Sequence, residues 1–315
     1  MKQDYKTAVP QAELDASADE RHRLLAKWGF EPISMMWMNP IHNRSLDVLV
    51  EDTLAQNSYE VHNYNIRDGA LAQTPTILVE RLIKFYTEPG DTILNPMCER
   101  IPHLLIANYL KRNAIGQDIC ERFIRHDVEK LKRRVLTAES LNPDDNKIII
   151  EDENHFNVMY NACFIDLTKG DSRHLNLSDN SVDFVITSPP YWDLGIYGDE
   201  PEQAGSGTGT GKGDTPTYEE FLEAISQIYK ECFRVLKPNK YITVQVNDFR
   251  KNHKFYNYHS DTIKALENVG FTLHDIVVYN ISVHPIAAIF TSQLEERKIF
   301  AKCHEYSICC KKPEA

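Results

Sequence analysis

From about residue 61 the apolar positions of the chain fall into two alternating rhythms, one of helical spacing and one of short apolar runs. In P-T-I-L-V-E-R-L-I-K-F-Y (75–86) the spacing puts Leu78, Leu82 and Phe85 on one helical face, with Pro75 suited to the first turn. T-E-P-G-D then predicts a turn, and D-T-I-L-N (91–95) a short strand. A helix-like stretch over 102–111 leads to a second strand, A-I-G-Q-D, ending at Asp118. Ile124, Val128, Leu131 and Val135 mark the next helix. After a polar, acidic connection at 140–153, C-F-I-D-L-T-K-G-D reads as a third strand ending at Asp171, and V-D-F-V-I-T-S as a fourth.

Thr217, with Glu220 three residues on, forms a capping box, and the helix it opens is amphipathic through Phe221, Ile225, Ile228, Cys232 and Leu236. K-P-N turns into the strand Y-I-T-V-Q-V-N-D (241–248); a helix at 259–269 and the strands D-I-V-V-Y-N-I and E-Y-S-I-C-C-K follow. Strands alternating with helices predict an α/β domain over 61–315, a Rossmann-like, mostly parallel sheet with helices on both faces. Residues 1–60 read as a polar appendage, helix-like and charged over 12–28. The glycine-rich tract at about 203–215 reads as a flexible loop.

At 315 residues the chain can bury the core of one large domain, with or without an appendage. Mean hydropathy is −0.44, and no apolar run approaches the roughly 18–20 residues of a membrane span. The seven cysteines form no C-x-x-C, and the first residues show no apolar secretory core. These features point to a reducing cytoplasm, away from membranes, disulfides and metal sites. A net charge of −11 argues against nucleic-acid binding, because phosphates attract Lys and Arg. Charge is nevertheless local: 122–134 and 297–312 are basic, while acid gathers at 13–20, 144–153 and 199–202. Each basic run by itself reads as a solvated helix face or chain end.

In an open α/β sheet, ligands lie beyond the carboxyl ends of the strands. Four features fall there: N-P-M-C-E-R after the first strand, Asp118 after the second, Asp171 after the third, and S-P-P-Y after the fourth. Asp118 suits a ribose diol and Asp171 an exocyclic amine of adenine, although either alone is an ordinary cap or turn residue. In T-S-P-P-Y-W-D-L-G-I-Y-G (187–198) two prolines fix φ twice and remove two donors beside large aromatic rings. That is either a rigid surface turn or the wall of a pocket holding a flat ring.

The segment P-T-I-L-V-E-R-L-I-K-F-Y-T-E-P-G-D-T-I-L-N-P-M-C resembles the opening of the DNA amino-methyltransferases. V-D-F-V-I-T-S-P-P-Y-W-D-L-G-I-Y-G resembles their catalytic motif, and Y-E-E-F-L-E-A-I-S-Q-I-Y-K-E-C-F-R-V-L-K-P-N-K-Y and K-C-H-E-Y-S-I-C-C-K-K resemble later elements; together they cover about 61–312. The resemblance implies methylation of cytosine N4 or adenine N6 by S-adenosyl-L-methionine, on double-stranded DNA with the base flipped out. It implies that Ser188 and the carbonyl of Pro189 accept from the target amine. Pro190 stiffens the corner, and Tyr191, beside Trp192, stacks on the base. Asn95, Pro96, Met97, Cys98, Asp118, Asp171 and Ser172 would hold the cofactor. Serine at the first motif position favours cytosine N4, with adenine N6 the near alternative. The family also admits a homodimer or a restriction partner; neither is readable from the residues.

One departure matters. The family's cofactor loop carries glycines, whereas N-P-M-C-E-R-I-P (95–102) has none and opens on Asn in place of Asp. Side chains at left-handed positions cost about 1–2 kcal/mol each, and Glu99 and Arg100 would crowd the turn. Either the loop bends differently, or the chain is a silent paralogue that binds DNA or a partner. A third reading, methylation of an amide or amine elsewhere, follows because Pro-Pro-Tyr loops also serve side-chain amides. No G-x-S-x-G or H-E-x-x-H is present, and His304–Glu305 reads as structural or as part of a binding cleft. Sequence recognition is expected from 192–217, from 280–302 (with Ser282, His284, Thr291, Gln293 and Arg297), or from the appendage.

Overall fold

The computed structural model describes residues 74, 76–98, 102–139, 142–192, 216–280 and 304–314, together with positions 23, 26, 27, 35, 36 and 298. The expected appendage (those few positions aside), the glycine-rich tract and the 280–302 recognition segment, Asn280 and Lys298 apart, lie outside the described residues. The chain divides into two compact units, Met1–Ile33 and Ser34–Ala315. The first is helical at Arg23, Ala26 and Lys27; the sheet belongs to the second.

Its strands are β1 (Met35–Met36), β2 (Thr92–Asn95), β3 (Asn113–Asp118), β4 (Lys147–Glu151), β5 (His155–Tyr160), β6 (Cys163–Lys169), β7 (Val182–Thr187), β8 (Leu236–Val246), β9 (Phe249–Lys251), β10 (Lys254–Tyr256), β11 (Thr272–Asn280) and β12 (His304–Lys311). The helices are α1 (Thr76–Tyr86), α2 (Pro102–Tyr109), α3 (Glu121–Glu139), α4 (Tyr218–Val235) and α5 (Tyr258–Val269). Ten strands form one sheet in the order β1-β11-β12-β8-β7-β2-β3-β6-β5-β4, and β9 and β10 form a separate hairpin. The central run β8-β7-β2-β3-β6 is parallel throughout. Beyond it, β12 and β11 on one wing and β5 and β4 on the other are added antiparallel.

The connectivity reverses at β2. From there the chain builds outward through β3 and β6, then returns to place β7 on the other side of β2. The crevice between β2 and β7 is therefore the topological switch point, where open α/β sheets bind ligands.

Successive residues of a strand face opposite layers. Ile93 joins Phe184 and Ile186 in a core beneath α1, α2 and α3, whereas Leu94 joins Val185, Ile242 and Val244 in a core beneath α4 and α5. Each fully buried aliphatic side chain of this kind contributes about 1.5–3 kcal/mol. Helices thus cover both faces, as the pattern predicts. The capping box is formed: Thr217 accepts from the Glu220 N–H, and the Glu220 carboxylate accepts from the Thr217 N–H. No helix among the described residues is long and apolar enough to cross a membrane.

Three expectations are corrected. On α1 the buried stripe is Leu78, Val79, Leu82 and Ile83, while Phe85 is 37% exposed and rests edge-on against Tyr86. The stripe is centred one residue away from the 78–82–85 line. The connection at 140–153 contains β4 and leads into β5. β4 is an edge strand with four of its five residues exposed, so its isoleucines show no alternation to read. K-P-N is part of β8, which begins at Leu236 directly from α4.

Asp183 ties the central strands together. It is 6% exposed, accepts from the Thr92 N–H of β2 at 3.1 Å, and receives Lys237 Nζ at 2.8 Å. Lys240 Nζ lies 3.3 Å away. Burial acts to raise its carboxyl pKa, but the hydrogen bonds from Lys237 and Thr92 and the two lysine charges outweigh it, holding the group below the ordinary aspartate value. A depressed folded pKa adds stability above the unfolded value near pH ~4, and this is lost as pH falls through the folded pKa. Asp183→Asn is expected to destabilise by about 2–3 kcal/mol at pH 7, the low end for a broken buried pair because both lysines are partly solvated. In urea melts the gap between variant and wild type should shrink at pH 3; equal gaps at both pH values would contradict this account.

Candidate active site

The loop after β2 is closed by its own first side chain. Asn95 is 1% exposed; its Oδ1 accepts from the Met97 N–H at 3.3 Å, and its Nδ2 lies 2.8 Å from Nδ1 of His103 on α2. Desolvation pulls the His103 imidazole down to about 4, so the ring is neutral at neutral pH. With Asn95 Oδ1 taken by the Met97 N–H, it is the Asn95 amide N–H that faces Nδ1, which pairs as an acceptor in the Nε2–H tautomer. That gives a physical reason for Asn rather than Asp: a carboxylate has no hydrogen to offer an unprotonated nitrogen. Asn95→Asp is accordingly expected to raise the His103 pKa well above 4, as the new carboxylate favours the imidazolium. Histidine ring NMR across pH 3–8 checks this, and an unmoved titration would refute it.

Neighbouring strand ends pin the same loop. The Cys98 N–H donates to the Gln117 carbonyl at 3.1 Å, and the Ser172 hydroxyl donates to the Pro96 carbonyl. The close approach that glycine permits is made in the adjacent strand. A Cβ on Gly116 would lie 2.6 Å from Leu104 Cδ1, 2.9 Å from Leu167 Cδ2 and 3.2 Å from Cys98 Sγ. Asn95, Pro96, Met97, Cys98 and Ser172 are therefore gathered at one place, with Asp118 at the end of β3 beside them. Glu99 and Arg100 lie outside the described residues.

The two aspartates differ. Asp118 is half-buried, and its Oδ1 accepts from the Cys120 N–H at 2.8 Å. Asp171, two residues beyond β6, is gripped by the Arg173 guanidinium through both oxygens and also accepts from the Arg173 N–H. Burial acts to raise its pKa, but these Arg173 contacts prevail and keep it ionised. The expected amine acceptor thus stands at the crevice already paired.

Across the switch point, β7 ends at Thr187 and the S-P-P-Y corner begins. The Ser188 hydroxyl is directed at the Gln245 carbonyl of β8 at a long 3.4 Å. Pro189 is buried, and no group among the described residues donates to its carbonyl. The Pro190 carbonyl, by contrast, accepts from the Tyr258 hydroxyl at 3.3 Å, which fixes the turn from α5. Tyr191 is half-buried, edge-on to Phe249 at 6.3 Å and to Tyr258 at 6.0 Å.

Trp192 is placed in the interior. It is 9% exposed, its Nε1–H donates to the Pro216 carbonyl at 2.7 Å, and its ring packs on Tyr218 and Tyr256 with Lys251 Nζ 4.1 Å from the ring centre. Its φ of 48° is left-handed, a conformation that surroundings must over-determine in a non-glycine residue. Those contacts supply the constraint and clamp the corner from behind, which leaves Tyr191 as the ring at the crevice.

Several neighbours of the corner carry no motif. The Tyr279 hydroxyl donates to Glu305 at 2.5 Å inside the β11–β12 pair. Burial, Glu305 and the nearby Tyr191 all push the Tyr279 phenol pKa far up. Asp248, just past β8, accepts from the His259 backbone N–H at 3.0 Å and lies 2.7 Å from its Nδ1. The His259 ring stacks on Tyr306 at 4.3 Å. The only sequence signals for these groups were N-D-F at the end of a strand and H-E at the start of another.

Comparison with known proteins matches residues 182–315 to the DNA methylase family model. The type II methyltransferase M.BglII of Bacillus subtilis is 33% identical over 95 residues, 30% of this chain and 21% of that protein. The type II methyltransferase M.MjaVI of Methanocaldococcus jannaschii is 25% identical over 116 residues, 37% of this chain and 54% of that protein. The chain thus spans about a fifth and about half of these relatives' lengths. Among solved structures, a DNA modification methylase from Thermus thermophilus complexed with S-adenosyl-L-methionine matches at 25% identity, over 46% of this chain and 54% of that one, with a TM-score of 0.34. A SAM-dependent methyltransferase from Methanosarcina mazei matches at 16% identity, over 78% and 100%, with a TM-score of 0.44.

Proposed function

We propose that this chain, whose residues 182–315 match the DNA methylase family model, methylates the exocyclic amine of a base flipped out of duplex DNA, with cytosine N4 as the target. The observation that carries the reading is the S-P-P-Y corner seated at the switch point, facing the glycine-free loop across β2 and β7. The residues present fit S-adenosyl-L-methionine: a half-buried carboxylate ends β3, and a pinned turn ends β2. Asp118 would take the ribose diol, and Asn95 to Cys98, with Ser172 behind them, would shape the wall. Bound there, the cofactor supplies an electrophilic methyl on a sulfonium.

The rest falls to the chain's own groups. A conjugated exocyclic amine is a poor nucleophile, because its lone pair is spread into the ring. Ser188 points its O–H toward the Gln245 carbonyl, so its lone pairs remain to accept one amine hydrogen. The Pro189 carbonyl, held by two rings, accepts the other. Two acceptors favour a pyramidal nitrogen with its lone pair aimed away from them. Alkylation leaves the nitrogen cationic; its proton departs along the hydrogen bond to one of these acceptors and passes on to solvent, since neither a hydroxyl nor an amide carbonyl retains it. Tyr191 stacks on the base and recovers part of the few kcal/mol that flipping costs.

The changed loop favours a second reading, a silent paralogue that binds DNA without cofactor. Titration calorimetry with S-adenosyl-L-methionine, followed by transfer of labelled methyl to duplex DNA, separates the two. Heat of binding and labelled DNA are expected; no heat and no label would leave the silent reading standing.

A further inference from the structure

The β9–β10 hairpin has a charge that does not suit the rest of the chain. F-R-K-N-H-K-F-Y (249–256) holds three Lys/Arg, one His and no acid in a protein of net charge −11. Asn252 and His253 turn it with φ of 48° and 65°, the pair of positive values that a tight two-residue hairpin turn needs. The register sets Lys251 directly opposite Lys254, a like-charge pair that destabilises an isolated hairpin. Among the described residues no acid pairs with Arg250 or Lys254. Those two are instead held over rings, Arg250 over Phe255 at 4.9 Å and Lys254 over Tyr256 at 4.7 Å, and Lys251 also lies over Trp192 at 4.1 Å. Phe255 itself is 42% exposed.

The hairpin is fastened to the candidate active site. Phe249 stacks on Tyr256 across the two strands at 5.1 Å and is edge-on to Tyr191. An open groove of about 440 Å³ lies between the hairpin and the start of α4, lined by Lys251, Lys254 and Tyr256 from the hairpin and by Trp192, Tyr218 and Glu219 from the other side. One carboxylate there faces two ammonium groups. Positive charge kept at a cost to stability, oriented on aromatic platforms and joined ring to ring with Tyr191, fits a polyanion passing beside the corner.

We propose that this hairpin is a phosphate clamp that grips the DNA backbone next to the flipped nucleotide, making contacts that do not depend on sequence. The proposal rests on the DNA-methylase reading for the identity of the polyanion. Counterion release makes it measurable, since each phosphate contact adds roughly 0.9 to the slope of log affinity against log salt.

The test uses Arg250→Gln/Lys254→Gln, both at exposed positions, in the full chain. Its binding to a duplex of about 25 base pairs is followed by anisotropy across salt, beside a charge-matched control, Lys147→Gln/Lys230→Gln. The expected result is a slope lower by about two in the hairpin variant, no change in the control, and wild-type thermal midpoints in both. Lys254→Gln alone should lose about one and serves if the double variant melts early. An unchanged slope, an equal loss in the control, or no salt-dependent duplex binding by the wild type would overturn the clamp. A loss confined to duplex RNA would overturn its assignment to DNA. An unchanged slope with methyl transfer intact defeats the clamp alone, whereas clamped DNA without methyl transfer defeats only the proposed activity.

Discussion

Ser188→Ala is expected to lower kcat about 100- to 1,000-fold, with KM for DNA nearly unchanged and the fold intact. The magnitude is that of removing one preorganised hydrogen-bonding group aimed at charge that develops in the transition state. Ground-state binding should be little affected, because in the proposed mode the base is held mainly by stacking and by its backbone. Stability is little affected too, because Ser188 makes only a 3.4 Å hydrogen bond to the Gln245 carbonyl. Thr should rescue in part, since it keeps the hydroxyl and adds one methyl. Steady-state kinetics with a labelled methyl donor reads this out directly. A kcat within about threefold of wild type would remove Ser188 from the chemistry and leave the Pro189 carbonyl as the lone acceptor.

Tyr191→Ala is expected to weaken productive DNA binding about 5- to 150-fold, the range of roughly 1–3 kcal/mol per stacked base. Here the loss should fall on KM and on the fraction of flipped base, since the role proposed for the ring is to hold the substrate, with no bond to the reacting nitrogen. Part of the change will be structural. Tyr191 is edge-on to Phe249 and Tyr258, and each aromatic pair adds about 0.5–1.5 kcal/mol beyond its buried area. Tyr191→Phe separates the two effects by retaining the ring and its packing while deleting the hydroxyl near Tyr279. Fluorescence of a 2-aminopurine target measures flipping without turnover. If Ala flips the base as well as wild type does, Tyr191 is a packing residue and the stacking surface lies elsewhere.

The strand ends were readable because each bears a residue of distinct chemistry after a short apolar run. Asn95, Asp118 and Thr187 end β2, β3 and β7 within a residue of expectation, and the capping box at Thr217 formed as its spacing predicts. Legibility failed where burial is one-sided or arises from distant partners. β4 shows no alternation because it is an edge strand with little to bury. Phe85 falls outside the buried stripe although its spacing suits it, since apolar spacing does not say which side of a helix the sheet takes. Trp192 reads as a ring beside the base, and nothing in its spacing shows that Tyr218 and Tyr256, from α4 and β10, pack on it. Likewise, Arg173 follows Asp171 by two residues, a spacing that gives no sign that the guanidinium would take both carboxylate oxygens. The β9–β10 hairpin was hidden because N-H is a less conspicuous turn than N-G, and because its register against Tyr191 exists only in three dimensions.

The glycine-free loop also changes meaning once its contacts are known. Alone, N-P-M-C-E-R-I-P looks like a damaged cofactor turn. In the structure Asn95, unprotonated His103 and the Ser172 hydroxyl form a consistent set of donors and acceptors around it, with Gly116 supplying the close approach from β3. These contacts hold Asn95 to Cys98, the described part of the turn, in one definite geometry.

Nucleoside mass spectrometry on duplex DNA digested after incubation with protein and S-adenosyl-L-methionine tests the central claim most directly. The account predicts N4-methyldeoxycytidine, falling about 100- to 1,000-fold in initial rate with Ser188→Ala. DNA that carries no methyl group on any exocyclic nitrogen, from a protein that demonstrably binds both cofactor and duplex, would contradict it.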